Sequence, residues 1–358
     1  MELDTTLAPV WGPSATPKPD CLVVDLHAHV AIPAAADLAG RHLDPTRDPR
    51  LKHANAASTE YNTFLRSRIE QKFTDSAVRL ADMDAMGVDV QVLSIGPPHY
   101  FYWADPDLGL QIARLQNDGI AEMAAGDPQR FIGMGTLPLQ APAQAMTELR
   151  RLADDLGLRG VQIDTNVAGK DLDHADFEPF WDEIERRGLL VILHPYGFDE
   201  AARFNDYYLT NVLGLPLDST VALSRLILGG VLERHPDLRL MVVHGGGYLP
   251  YYIARTDHAY RHRPELRRNI TRAPSEYLRL VHFDITTHSS EAVAYLVSRY
   301  GPERVVLGTD YPYDMGVTDP VTLVVEAGLS PDQARLVFGG NAARLLGLQT
   351  SATERPTS

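Results

Sequence analysis

The first apolar run of the chain, Val23-Val24-Asp25-Leu26-His27-Ala28-His29, closes on two histidines one residue apart. On a strand, alternate side chains share a face, so His27 and His29 point the same way and form half of a metal site. Other apolar runs finish in kindred fashion. Leu189–Leu193 ends in His194-Pro195, and Leu238–Val243 ends in His244-Gly245-Gly246-Gly247. Val305–Leu307 runs through Gly308-Thr309 into Asp310-Tyr311-Pro312. A catalytic zinc takes a few protein ligands and keeps one position for water or substrate. His27, His29, His194 and Asp310 can supply such a set. His244 is then left over as a general acid/base, or as a group that orients the water, and Asp310 could exchange a proton as well as ligate.

Any one of these histidines could merely satisfy a hydrogen bond at a strand end. Their joint occurrence argues otherwise, because most of the remaining histidines fall in loops or at helix ends, and His282 lies inside a strand. A second metal would call for a bridging carboxylate, often a carbamylated lysine on the fourth strand. That strand ends Asp164-Thr165-Asn166. A single metal is therefore expected.

The elements that must position these residues read as a repeated alternation. Eight short apolar, β-branched runs occur: Cys21–Leu26, Val88–Ile95, Phe131–Leu137, Gly160–Asp164, Leu189–Leu193, Leu238–Val243, Leu280–Ile285 and Val305–Leu307. Near-continuous apolarity suits parallel strands covered on both faces. Between them lie amphipathic helical stretches, among them Asp75 to Met86, Ala141 to Leu156 and Asp218 to Glu233. Ser330-Pro331-Asp332-Gln333 is a capping box with proline at the first helical position, and Gly347 follows the last turn. The pattern predicts an α/β fold, a (β/α)8 TIM barrel, with insertions after strands one (Ala31 to Thr74) and five (Ala201 to Pro216). An open doubly wound sheet would usually carry a Gly-rich first turn, and none is present. Residues 1–20 read as an N-terminal extension, 21–348 as one barrel domain and 349–358 as a tail.

Composition narrows the function classes. The chain has 358 residues, 44% of them hydrophobic, and a net charge of −14. There is no basic footprint of the kind that binds nucleic acid, and an acidic protein must hold an anion with locally placed arginines. The one cysteine, Cys21, excludes an intrachain disulfide. No secretory signal pattern and no apolar stretch of membrane-spanning length is read, so a cytoplasmic location without a membrane partner is expected.

Several blocks resemble the amidohydrolase superfamily, and most of all its decarboxylase-type branch containing 2-amino-3-carboxymuconate-6-semialdehyde decarboxylase. They are Val23–His29, Tyr102-Trp103-Ala104, Phe131–Pro138 with Gln140-Ala141-Pro142, Gly160–Ile163, Gly229-Gly230-Val231, His244–Gly247 and Gly308–Pro312. The similarity runs from about Cys21 to Leu348. It implies one divalent ion, zinc before manganese, on His27, His29, His194 and Asp310, with His244 assisting the water held there. It implies non-oxidative loss of carbon dioxide from a small unsaturated or aromatic carboxylic acid. It also implies substrate-binding arginines: Arg66 or Arg68 from the first insertion, and Arg255 reaching the neighbouring site in a homodimer. Trp103 is a candidate for the pocket wall or for the core. His194-Pro195-Tyr196 stands where that branch typically has His-Pro-Trp, and Asn166 where it often has histidine. Tyr196 and Asn166 are therefore expected to face the substrate cavity and to set specificity. Two other readings remain open from the residues. One is a metal-dependent hydrolase of a cyclic amide or lactone; the other is a non-catalytic binding or regulatory barrel.

Overall fold

The computed structural model describes residues 11–44, 46, 55–197 and 203–348. The ends of the predicted extension (1–10) and the tail (349–358) lie outside the described residues, as does part of each insertion. Eight parallel strands form the frame: β1 (Val24–Val30), β2 (Val90–Ile95), β3 (Phe131–Gly133), β4 (Gly160–Ile163), β5 (Leu190–Leu193), β6 (Arg239–Val242), β7 (His282–Asp284) and β8 (Val305–Val306). β1 to β3 pair in order, and so do β4 to β8. Two seams join these arcs. Gly135 N–H donates to Gly160 O, and Gln162 N–H donates to Gly135 O, both at 2.9 Å. Leu26 N–H donates to Leu307 O at 3.0 Å, and His29 N–H to Tyr311 O at 2.7 Å. The ring is a closed barrel, as the sequence predicts.

Its interior is apolar at the amino-terminal end. Val24, Leu26, Val92, Ile192, Met241 and Val306 fill it, and Ala342, Leu345 and Leu346 of the last helix (Asn341–Leu346) plug it from below. Each fully buried aliphatic side chain of this kind stabilises the fold by about 1.5–3 kcal/mol. At the carboxyl end, polar side chains replace the aliphatics. Ser94 Oγ donates to Gln162 Oε1 at 2.7 Å, and Gln162 Nε2 donates to Ile95 O at 2.7 Å and to Tyr100 OH at 2.9 Å.

The histidine pair sits inside β1 rather than beyond its end. Val24 pairs with Val90 and Asp25 with Gln91, but the register then jumps to Ala28 with Leu93 and His29 with Ser94. β1 therefore carries one extra residue, a bulge. Plain alternation would place His27 and His29 with Asp25, on the face opposite the interior residues Val24 and Leu26. The bulge reverses the phase, so both rings turn into the barrel.

Local signals hold where a side chain caps a helix. Asp75 accepts from Ala77 and Val78 N–H to start Ser76–Met86, and Ser330 with Gln333 forms the predicted capping box. The helix expected from Asp218 to Glu233 is corrected. It begins earlier, through a π turn Thr210–Gly214 into Leu215–Leu228, and breaks at Gly229-Gly230 before Val231–Arg234. Gly230 adopts φ +79°, which a side chain disfavours. Asp218 is thereby freed from capping, and its Oδ2 accepts from Thr165 Oγ at 2.5 Å. The combined segment Thr210–Leu228 has 19 residues and mean hydropathy 1.2, so by length and composition one apolar stretch does approach membrane-spanning size. It covers the barrel, burying Ser219, Ala222, Leu223, Leu226 and Ile227.

Candidate metal centre

The four predicted ligands meet at the carboxyl mouth of the barrel. One donor atom from each of His27, His29, His194 and Asp310 lies within 4.8 Å of all the others, and all four residues are buried. His27 Nε2 is 3.1 Å from His29 Nε2, and His29 Nε2 is 3.0 Å from Asp310 Oδ1. His194 Nε2 is 3.9 Å from that same oxygen.

The other nitrogen of each ring is already committed. His27 Nδ1 lies 2.6 Å from Asp284 Oδ2, His29 Nδ1 lies 3.3 Å from Ile95 O, and His194 Nδ1 lies 2.8 Å from Pro195 O. Each of these partners is an acceptor, so Nδ1 carries the proton and Nε2 presents its lone pair to the centre. His194 Nε2 is buried there without a hydrogen-bond partner among the described residues. Burial lowers the pKa of His29 to about 4 and of His194 to about 3, which keeps both rings neutral. Burial works against charge on His27 too, but Asp310 and Asp284 outweigh it and raise its pKa to about 10. His27 is thus the ring for which a proton and a metal cation would compete. Burial disfavours the Asp310 carboxylate, yet the neighbouring rings of His27, His194 and His244 hold its pKa well below the usual carboxylate range. Three imidazole nitrogens and one carboxylate oxygen, converging on an orphaned lone pair, fit a single divalent ion.

His244 stands at the open side of this cluster. Its Nε2 is 3.6 Å from Asp310 Oδ2, and its side chain is 16% exposed against 0% for His27 and His29. The chain turns sharply to bring it there. His244, Gly245, Gly246 and Gly247 all have positive φ, and a Cβ on Gly247 would come within 2.3 Å of Pro216 O. Only glycine fits that approach.

Asp284, at the end of β7, escaped the sequence reading. Its Oδ2 holds His27 Nδ1, and its Oδ1 accepts from Gly245 N–H at 2.8 Å. One carboxylate therefore orients a ligand ring and the His244 loop together. A signal existed: His282 and Asp284 are polar at alternate positions of an otherwise apolar strand.

The predicted substrate residues divide. Tyr196 is buried beside the cluster, its N–H donating to Asp164 Oδ1 at 3.0 Å and its ring standing edge-on to Tyr100 at 6.2 Å. Burial, with Asp218 nearby, raises the pKa of Asp164 well above the usual range. Asn166 Oδ1 accepts from Gly169 N–H at 2.7 Å and its Nδ2 donates to Asp171, closing a hairpin of Asn166–Val167 on Lys170–Asp171. Both of its polar groups are engaged in that turn. Trp103 packs with Ala35, Ala39, Ala104 and Ile112 in a satellite apolar cluster, the core alternative of its two readings. Arg66 and Arg68 lie on the exposed side of the helix Ala56–Thr74, whose Leu65 and Ile69 are buried. What that helix brings to the mouth is Phe73, 5.2 Å from the Tyr313 ring, which itself meets His29 at 5.3 Å. Arg255 is exposed on Leu249–His262.

Comparison with known proteins places this geometry. The amidohydrolase family profile matches residues 24–348. The chain belongs to the amidohydrolase family. This amidohydrolase is 37% identical over 282 residues to 2-amino-3-carboxymuconate-6-semialdehyde decarboxylase of Dictyostelium discoideum, covering 78% of the chain and 79% of the relative. It is 31% identical to gamma-resorcylate decarboxylase of a Rhizobium species, over 66% of the chain and 76% of the relative. Among solved structures, 5-carboxyvanillate decarboxylase of Novosphingobium aromaticivorans, complexed with manganese and 4-hydroxy-3-methoxy-5-nitrobenzoic acid, superposes with a TM-score of 0.81. It is 25% identical, over 95% of this amidohydrolase and 100% of the other chain.

Proposed function

We propose that this protein is a metal-dependent, non-oxidative decarboxylase of a small unsaturated or aromatic carboxylic acid, 2-amino-3-carboxymuconate-semialdehyde-like or hydroxybenzoate-like. The observation that carries the reading is His244 at the open side of the buried His27, His29, His194 and Asp310 cluster. Relatives that share the family are named decarboxylases.

His27, His29, His194 and Asp310 would hold one divalent ion. Zinc is the proposed resident, because three of its four donors are imidazoles, with manganese the alternative. When bound, the ion would act as a Lewis acid toward the substrate's oxygens. The protein's own groups do the rest. Loss of carbon dioxide breaks the bond between ring or chain carbon and carboxylate and leaves an electron pair on that carbon. A proton must arrive there, and His244, facing the opening, is placed to deliver it. Asp310 lies 3.6 Å from its Nε2 and steadies the ring as the proton passes. Asp284 fixes the loop that carries His244 and the ring of His27, so neither drifts as charge moves. Tyr313, Phe73 and Tyr196 wall the mouth and limit water.

The test is carbon dioxide release from a panel of carboxylated dienes and hydroxybenzoates by protein loaded with zinc or manganese. We expect release that disappears on chelation and returns with one equivalent of metal. No release from any acid, with opening of a lactone or cyclic amide instead, would replace this reading by hydrolysis.

We further propose a cytoplasmic homodimer in which Arg255 of one chain binds the substrate carboxylate in the other. Its exposure on a helix that also presents Tyr251 and Tyr252 to solvent supports this. A sedimenting mass of twice 39.6 kDa is expected. Mixing inactive Arg255→Ala with inactive His194→Ala chains should restore about a quarter of wild-type activity, since half the dimers would be mixed and each would hold one intact site. Absence of recovery would return Arg255 to its own subunit or to the solvent.

A further inference from the structure

The bulge in β1 raises a question that the ligands alone do not answer: what keeps the extra residue from slipping out and carrying both histidines to the wrong face. A strand whose register moves by one residue exchanges its two faces. The bulged residue also leaves a backbone N–H outside the ladder, and a buried unpaired N–H costs about 1–3 kcal/mol.

That N–H belongs to His27, and the Asp25 carboxylate meets it. Asp25 Oδ1 accepts from His27 N–H at 3.1 Å and from Thr309 N–H at 3.0 Å. Oδ2 accepts from Gln91 Nε2 at 2.8 Å and from Thr309 Oγ at 2.6 Å. Gln91 in turn accepts from Arg79 Nη1 at 2.6 Å, and Arg79 Nη2 donates to His29 O and to Lys72 O. The Arg79 guanidinium also lies 4.7 Å over the Tyr311 ring. Asp25, Gln91, Arg79 and Thr309 are all fully buried, between the barrel and the helix Ser76–Met86. Each acceptor site of Asp25 is used, and the network touches the backbone on both sides of the bulge and the strand that carries Asp310.

We propose that Asp25 is a positioning residue: by capturing the His27 amide, it locks the bulge that turns His27 and His29 into the barrel. Gln91 and Arg79 balance its buried charge through one relay. The lock sits outside the barrel wall and touches neither substrate nor metal. The inference rests on the metal site proposed above, and the experiment separates the two.

Cobalt(II) is the probe, titrated into metal-free protein and read by its visible absorption. Asp25→Ala should weaken cobalt affinity at least tenfold and alter the absorption of the bound ion. Leu226→Ala, a cavity in an outer helix, should lower the melting temperature and leave cobalt affinity unchanged. In Asp25→Asn with Gln91→Glu, the carboxylate moves one position along the relay, where it can accept both from the amide introduced on β1 and from Arg79. That double variant should bind within about threefold of wild type, whereas Asp25→Asn alone should not. Unchanged affinity and spectrum in Asp25→Ala would overturn the inference, as would a double variant no better than Asp25→Asn. If wild type takes up no cobalt, the metal reading fails, and crystal structures of the metal-free proteins decide the lock. His27 turned out of the barrel in Asp25→Ala and inward in the double variant supports it; His27 inward in Asp25→Ala overturns it.

Discussion

Replacing His244 by asparagine should lower carbon dioxide release on the order of 10³-fold while leaving one metal equivalent per chain, because positioned proton transfer contributes about 10²–10⁴-fold. Asparagine is the informative substitute. His244 has φ +55°, a conformation that asparagine tolerates better than most residues, so the glycine turn behind it should survive. The loss should fall on kcat rather than on metal content, and solvent deuterium should enter the product more slowly. Activity within tenfold of wild type would remove His244 from proton delivery.

The second large effect concerns the ion itself. His194→Ala deletes the lone pair that has no partner among the described residues and leaves three donors. Zinc affinity should drop at least a hundredfold, and activity at micromolar zinc should fall below about 10⁻³ of wild type, as expected when a donor is lost from a site whose outer partners alone tune affinity 10–100-fold. A readout independent of turnover is available. Ligands that bind only the native state raise its melting temperature, so zinc should raise that of the wild type and not that of His194→Ala. A variant that still binds one zinc with wild-type affinity would show that His194 lies beside the ion without holding it.

Much of this was legible in the chain, for identifiable reasons. Parallel barrel strands are apolar throughout, so the eight runs stand out, and the residues that break each run at its carboxyl end are those that face the mouth. His194, His244 and Asp310 are such residues. Ser330, Asp75 and Gly347 signal helix ends because capping is a local hydrogen-bond problem solved within four residues. What failed to show has a common physical cause, contact between residues distant in sequence. The bulge in β1 depends on Thr309 and Gln91, and nothing near His27 announces it except a carboxylate in an apolar run. Asp284 sits inside a run rather than after it, so a reading confined to strand ends passes over it. The turn at Asn166 was legible but passed over: Asn-Val-Ala-Gly-Lys bends tightly, with Ala168 at φ +50° and Gly169 at φ +87°. Trp103 belongs to a local apolar cluster under the first insertion, a packing that no motif spells out.

The barrel closes where its beginning meets its end. Thr309 and Asp310 N–H both donate to His27 O, at 3.2 and 2.7 Å. The hinge of the metal cluster is therefore also the join between the first and last strands. A chain still emerging from the ribosome possesses His27, His29 and His194 well before it possesses Asp310. Such a nascent chain has the imidazoles but neither the carboxylate nor the closing strand. Occupation of the site would therefore require that synthesis has passed Asp310, and an ion seated there would tie the first strand of the ring to the segment that follows its last. Loss of the ion would then be felt first as an opening at that join, between β1 and β8, rather than as loosening of the helices outside.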